Sequence, residues 1–155
     1  MKIRLFIPLL SLLWWNGRAQ KLITMETTTI PSVQADSAAI AQTLETVYFP
    51  GIYAGDVNSL RTIYHPGTLL FGDVKGQPYA KTLDIYLDGV KNRQSPRDSG
   101  KPFKGEVQKI SVVNSIAVAE VRVKMYDFDY QEFLSFHKID GKWLIVNKMI
   151  SDISK

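Results

Sequence analysis

Few side chains in this 155-residue chain are equipped for acid, base or nucleophilic chemistry. There is no cysteine, which excludes thiolate nucleophiles, disulfides, zinc ribbons and iron–sulfur clusters together. Of the two histidines, His137 lies in a strand-like run, where a neutral imidazole is a candidate general base near pH 7. Ser135 and Phe133 share its face of that strand, and Lys148 joins the same face through the hairpin described below. A Ser/His pair without an aligned acid does not make a nucleophilic triad. Lys148 is placed either to receive an anionic ligand or to pair with Glu132 or a helix carboxylate. His65, before Pro66 at a helix end, suits a structural role beside the helix dipole. Asp127, Asp129 and Glu132 gather near a turn but lack the glycine and the run of oxygen ligands of a calcium loop. They read as a solvated turn, and neither a metal nor a cofactor is expected.

The elements that position these residues follow from periodicity. Ile40, Leu44, Val47 and Tyr48 recur at helical spacing after Asp36 or Ser37 as N-cap, and Pro50-Gly51 interrupts them. Asp56 caps a short helix over Val57 to Tyr64. A third helix, Thr82 to Lys91, turns Leu83, Tyr86, Leu87 and Val90 to one side, so Tyr86 is a candidate pocket residue. Short strands at Thr68–Phe71 and Gly76–Ala80 flank a turn. Phe103–Val113, Ile116–Met125, Tyr130–Ile139 and Lys142–Ile150 read as longer strands, and in the second of these Ala117, Ala119, Val121, Val123 and Met125 form one apolar face. Asp140-Gly141 marks a two-residue hairpin. A regular register there groups Phe133, Ser135, His137, Leu144, Val146, Lys148 and Ile150 on one face. The other carries Leu134, Phe136, Trp143, Ile145, Asn147 and Met149. Neither face is polar. The helices cover one, so the other is expected to meet a second copy of the chain, or else a loop or the N-terminal segment. The order of elements gives an α+β fold with segregated layers.

Residues 1–19 read as a secretory signal peptide. Lys2 and Arg4 precede an apolar run from Leu5 to Trp15, and Gly17 and Ala19 supply small residues before a cleavage site at Gln20. A retained anchor or a buried first helix is the alternative. Residues 20–35 are polar and read as a flexible mature N-terminus, leaving one domain over 36–155. A secreted or periplasmic address follows, with no membrane partner after cleavage. The chain has 19 Lys+Arg against 15 Asp+Glu; losing Lys2, Arg4 and Arg18 leaves 16 against 15. Lys91, Arg93, Arg97, Lys101 and Lys104 form a basic loop, but aromatic interleaving and net excess are absent, so nucleic acid is not expected as a partner.

The order of helix, Gly55-Asp56-Val57, Tyr64-His65-Pro66, hairpin, helix and long strands, ending in Asp-Gly-Lys-Trp-Leu-Ile-Val-Asn-Lys over 140–148, resembles the nuclear transport factor 2-like superfamily. Within it the chain is most similar to the putative lumazine-binding group, over roughly residues 36–151. The resemblance implies a cone-shaped, cystatin-like α+β fold: three N-terminal helices on a strongly bent antiparallel sheet, often dimeric. Ketosteroid isomerases of this superfamily pair an aspartate base with an oxyanion hole of a tyrosine and a protonated aspartic acid. By that comparison Tyr48 is the candidate donor and Asp73 the candidate base, displaced by one residue. The second acid is expected near 133 or 135, where Phe133 and Ser135 stand instead. A small-molecule-binding domain is therefore expected, with ligand residues Tyr48, Tyr86, Phe133, Ser135, His137 and Lys148 and a cavity of about 300 Å³ or more. The alternatives are a cofactor-independent lyase or isomerase using His137 or Asp73 with Tyr48, and an accessory protein acting through its sheet face.

Overall fold

The structure, a computed structural model, describes residues 31–154. The leader over 1–19 and residues 20–30 lie outside the described residues. Helix α1 (Pro31–Thr43) begins five residues before Asp36, and Asp36 is no cap. Its carboxylate instead accepts from Lys138 Nζ at 2.7 Å and Trp143 Nε1 at 3.0 Å, tying the helix to the far end of the sheet.

The helix also runs through Pro50-Gly51 instead of stopping. Leu44–Tyr48 widens into a π turn, and α2 (Phe49–Ala54) continues from it. Proline lacks an N–H and crowds the carbonyl four residues back; the widened turn just before Pro50 relieves that conflict. Gly51 lets α3 (Val57–Arg61) pack against α2, because a Cβ there would lie 2.8 Å from Leu60 Cγ. Asp56 caps α3 as expected, accepting from the N–H groups of Asn58 and Ser59.

Strand β1 (Tyr64–Val74) turns at Lys75-Gly76, both at positive φ, into β2 (Gln77–Thr82). Helices α4 (Leu83–Asn92) and α5 (Pro96–Ser99) follow. Then come β3 (Phe103–Val113), β4 (Ile116–Met125), β5 (Phe128–Ile139) and β6 (Lys142–Asp152). The single six-stranded sheet has the order β2-β1-β6-β5-β4-β3, antiparallel throughout except where β1 runs parallel to β6.

The helices cover one face of this sheet. Ile40, Leu44, Tyr48, Ile52, Leu60, Leu83 and Leu87 pack there against Ala119, Val121, Val123, Leu134, Phe136 and Ile145, all essentially out of solvent. The other face leaves Leu69, Phe71, Ile116, Val118, Phe133 and Met149 exposed.

The last hairpin contains the decisive departure from regular geometry. Asp140-Gly141 makes the expected turn, and Ile139 pairs Lys142 and His137 pairs Leu144. Phe136 pairs Ile145, but Ser135 pairs Asn147, so Val146 is an extra residue bulged out of β6. A bulge changes which side the following residues face. Lys148 and Ile150 thereby turn inward beside Leu134 and Glu132, while Asn147 and Met149 turn outward. The regular register wrongly groups Lys148 and Ile150 with Phe133, Ser135 and His137, and Asn147 and Met149 with Leu134 and Phe136.

Candidate functional site

Between α4, β2 and the inner face of the sheet lies a cavity of about 250 Å³. Val123, Met125, Tyr130, Glu132, Lys148 and Ile150 enter it from the strands, Tyr79 and Lys81 from β2, and Tyr86, Gly89, Val90 and Arg93 from α4 and its end. That volume is just under the range common for drug-sized ligands, so it suits a molecule of about one ring.

At its floor sits a buried polar triad. Lys148 Nζ lies 2.6 Å from Glu132 Oε1, with side chains 3% and 2% exposed. Tyr48 donates its hydroxyl hydrogen to Glu132 Oε2 at 2.5 Å and accepts from Lys148 Nζ at 2.8 Å. Every polar group in the triad is thus satisfied, the condition under which ions tolerate a dry interior. The ammonium also sits 5.4 Å and 5.2 Å from the ring centres of Tyr48 and Tyr86. Burial works to lower the pKa of Lys148, but the charge of Glu132 and the hydrogen bond to it outweigh that, and the net shift is upward. Burial and then Glu132 push the Tyr48 hydroxyl well above the usual phenol value, while burial followed by Asp152 raises Tyr130. These phenols are neutral hydrogen-bonding groups at neutral pH, and Lys148 is a cation.

The local sequence explains the arrangement. Tyr48 ends the widened helical turn, Glu132 follows the inward alternation of Tyr130, Leu134 and Phe136, and Lys148 arrives through the bulge at Val146.

The expected site residues divide into two groups. Tyr86 and Lys148 line the cavity, and Tyr48 stands directly behind Glu132 and Lys148, fully buried and outside the lining. His137, Ser135 and Phe133 lie on the opposite face of the sheet, where His137 and Phe133 are exposed and Ser135 and His137 edge a shallow groove with Val113, Ile116 and Val118. Odd-numbered residues of β5 face outward, so none of the three reaches the cavity. Asp73 also faces outward and accepts from Ser151 Oγ at 3.2 Å. The inward position is taken by Gly72, where a Cβ would lie 1.7 Å from the carbonyl oxygen of Ile150. The one-residue displacement in the sequence is thus a real change of face, and Asp73 is no base for this cavity.

A buried acid does stand beside Tyr48, at 132, adjacent to the position 133 that the comparison indicated. It is masked in the sequence by its grouping with Asp127 and Asp129. Asp129 instead pairs bidentately with Arg122, at 2.7 and 2.6 Å, and Asp127 with Lys101. The signal that separates Glu132 from them is parity along β5, where it alternates with residues of the apolar inner face. His65 lies in β1 and not at a helix end, so it complements no helix dipole; its Nδ1 instead accepts from the Gly67 N–H at 3.0 Å. Among the described residues no group of three or more His, Cys, Asp or Glu is placed to hold a metal ion, and no helix is long and apolar enough to cross a membrane.

Comparison with known proteins places this geometry in context. A curated relative, Aldolase FrzH from Cladobotryum sp, is 29% identical over 104 residues, spanning 66% of this chain and 80% of that protein. Among solved structures, an NTF-2-like protein from Silicibacter pomeroyi DSS-3 superposes with a TM-score of 0.69 at 20% identity, covering 77% of this chain and 97% of that one. A ketosteroid isomerase-like protein from Erwinia carotovora atroseptica SCRI1043 superposes with a TM-score of 0.60 at 14% identity, covering 77% and 98%. Both likenesses establish the fold. The family model described as putative lumazine-binding matches residues 35–151, so the chain belongs to that family and has the nuclear transport factor 2-like fold.

Proposed function

We propose that this chain binds a small carbonyl compound in the cavity and moves a proton on it, the step shared by isomerases and aldolases. The observation that carries the reading is the Tyr48–Glu132–Lys148 triad, whose acid and cation both line the cavity. Glu132, a carboxylate held between a phenol and an ammonium, takes a proton from the carbon beside the carbonyl. Lys148 faces the oxygen on which negative charge then develops, and an ammonium in a water-poor site stabilises such an enolate strongly. Return of the proton to carbon completes an isomerisation or exchange. Attack of the enolate carbon on an aldehyde, with the new alkoxide taking the proton from Glu132, completes an aldol addition. The aldolase relative supports the second ending. Tyr48 acts through Glu132 as a positioning residue.

The test is deuterium exchange of the methyl protons of acetophenone in D₂O, followed by ¹H NMR. Glu132→Gln is expected to lower the protein-dependent rate about 10²–10⁴-fold, the usual contribution of a general base. Because that variant also strains the fold, Gly89→Phe provides a second approach. Gly89 borders the cavity and a Cβ there meets nothing within 4 Å, so a ring at this position is expected to obstruct ligand entry without touching the triad. Exchange that survives both substitutions refutes the catalytic reading. Acetophenone bound in the cavity without exchange makes the domain a binding module.

Two readings of assembly and address accompany this one. Phe71, Met149 and Phe133 are adjacent across β1, β6 and β5 on the outer face, forming a contiguous exposed apolar ladder. A second copy covering it through a two-fold axis supports a homodimer, measured by light scattering. The apolar run and small residues before Gln20 support export, measured by N-terminal sequencing of the protein secreted by its own cells.

A further inference from the structure

The cavity wall holds more positive charge than its own residues answer. Lys81, Arg93 and Lys148 face one acid, Glu132, and that acid is already committed to Lys148 and Tyr48. Neither Lys81 nor Arg93 has a carboxylate within 4.0 Å among the described residues. Arg93 is the sharper case. It follows the last turn of α4 in an extended conformation, and its guanidinium lies 5.9 Å from the Tyr126 ring. Its Nε and Nη2 are buried without any hydrogen-bond partner. A buried donor lacking an acceptor carries its full desolvation cost, and a folded protein rarely leaves one so without a use.

From this we infer that the cavity recognises a small carboxylate, gripped by the Arg93 fork and attracted by Lys81, with an aromatic or apolar body against Tyr79, Tyr86 and Tyr130. The inference rests on the proposed carbonyl chemistry only for the far end of the ligand, and the substrate class it names is an aryl or short-chain oxo-carboxylate. A planar guanidinium presents paired N–H groups that match the two carboxylate oxygens. Three phenol-bearing walls provide ring faces. The volume admits one ring bearing two small substituents, and a second ring would exceed it.

The probes are 4-acetylbenzoate and 4-acetylbenzamide, alike in shape and different in charge, titrated by calorimetry into the full chain, Arg93→Met and Lys81→Gln. The expected result is at least tenfold tighter binding of the acid to the unaltered protein, a preference Arg93→Met abolishes and Lys81→Gln weakens, with amide binding unchanged. Arg93→Met is also expected to raise the melting temperature of the ligand-free protein, because it removes two unsatisfied buried donors; a merely structural arginine would lower it. Equal affinity for acid and amide, or no saturable binding of the acid at millimolar concentration, overturns the inference. Phenyl phosphate binding more tightly than the acid also overturns it, in favour of a phosphate site. Methyl exchange followed in the same samples separates the two proposals. Arg93-dependent binding without exchange refutes the proton chemistry alone, whereas exchange of acid and amide alike with Arg93→Met harmless refutes the carboxylate site alone.

Discussion

Replacing Glu132 with glutamine isolates the energetics of the triad. The substitution keeps the shape and the Tyr48 contact but leaves Lys148 as a lone cation at 3% exposure. Breaking one partner of a buried pair costs about 3–5 kcal/mol. Here a ceiling follows from the alternative open to the lysine, which is to fold neutral. With an unfolded pKa of about 10.4, shedding the proton at pH 7 costs about 1.36 kcal/mol for each of about 3.4 pH units, or about 4.6 kcal/mol. At pH 9 the same arithmetic gives about 1.9 kcal/mol. In the variant the unfolded state binds more protons, so its stability rises with pH. In the unaltered protein the Lys148 pKa is raised, so its contribution is complete below the unfolded value and is lost as pH rises through the folded one. The gap between the two proteins therefore closes as pH increases. Urea unfolding at pH 7, 8 and 9 measures it, with Lys148→Met and the double variant Glu132→Gln/Lys148→Met as references. The double variant is expected to lose less than the sum of the singles and to show no such slope. A deficit below about 1 kcal/mol at pH 7, or one independent of pH, refutes the claim that the pair is dry and mutually dependent.

Other expectations follow from the same geometry. Gly72→Ala, at a φ of 148° and 1.7 Å from a backbone oxygen, is expected to separate β1 from β6 and cost about 3 kcal/mol or more, read by chemical denaturation. Arg122 and then Lys124 hold the Asp129 carboxyl below the usual carboxylate value against the opposing effect of burial. Its stabilisation is thus present above the unfolded value near 3.8 and lost as pH falls through the lowered one, and carboxyl NMR titration should move up towards 3.8 in Arg122→Gln. Tyr48→Phe, which removes a donor to Glu132 and an acceptor for Lys148, is expected to cost about 1–3 kcal/mol in urea unfolding. In the proposed homodimer, Phe133→Lys on the outer ladder is expected to halve the mass measured by light scattering while leaving the near-ultraviolet circular dichroism of the core unchanged.

Much of the architecture was legible because periodicity reports burial directly. The β4 alternation of Ala117 to Met125, the α4 stripe of Leu83, Tyr86, Leu87 and Val90, the Asp56 cap and the Asp140-Gly141 turn all stand where their local chemistry puts them. The site was legible only in part, for a physical reason. Tyr86 is read from its own helix and is correctly placed. His137, Ser135, Phe133 and Lys148 are assigned by carrying one face across a hairpin, and a single bulged residue breaks that inference between Ser135 and Lys148. Bulges leave no compositional mark at Val146, an ordinary strand residue. Asp73 was a matter of one position, and backbone crowding at Gly72 settled it. Arg93 belongs by sequence to a basic loop; only the end of α4 turns it into the cavity.

The bulge at Val146 divides β6 into two reading phases. Trp143 and Ile145 lie before it and serve the helix-packed core, while Lys148 and Ile150 lie after it and serve the cavity. Removing the extra residue would leave Ile145, Lys148 and Ile150 all inward, since the pairing on either side is already in step. Adding a residue that enters the pairing, and is not absorbed in the bulge, would expel Lys148 to the outer face without disturbing Trp143. One codon gained or lost here is therefore either silent or decisive, depending on whether the residue is bulged or paired. Relatives sharing this fold need not share the phase of this strand beyond the bulge. Residue-by-residue comparison between them is sound only after the phase at this position has been matched.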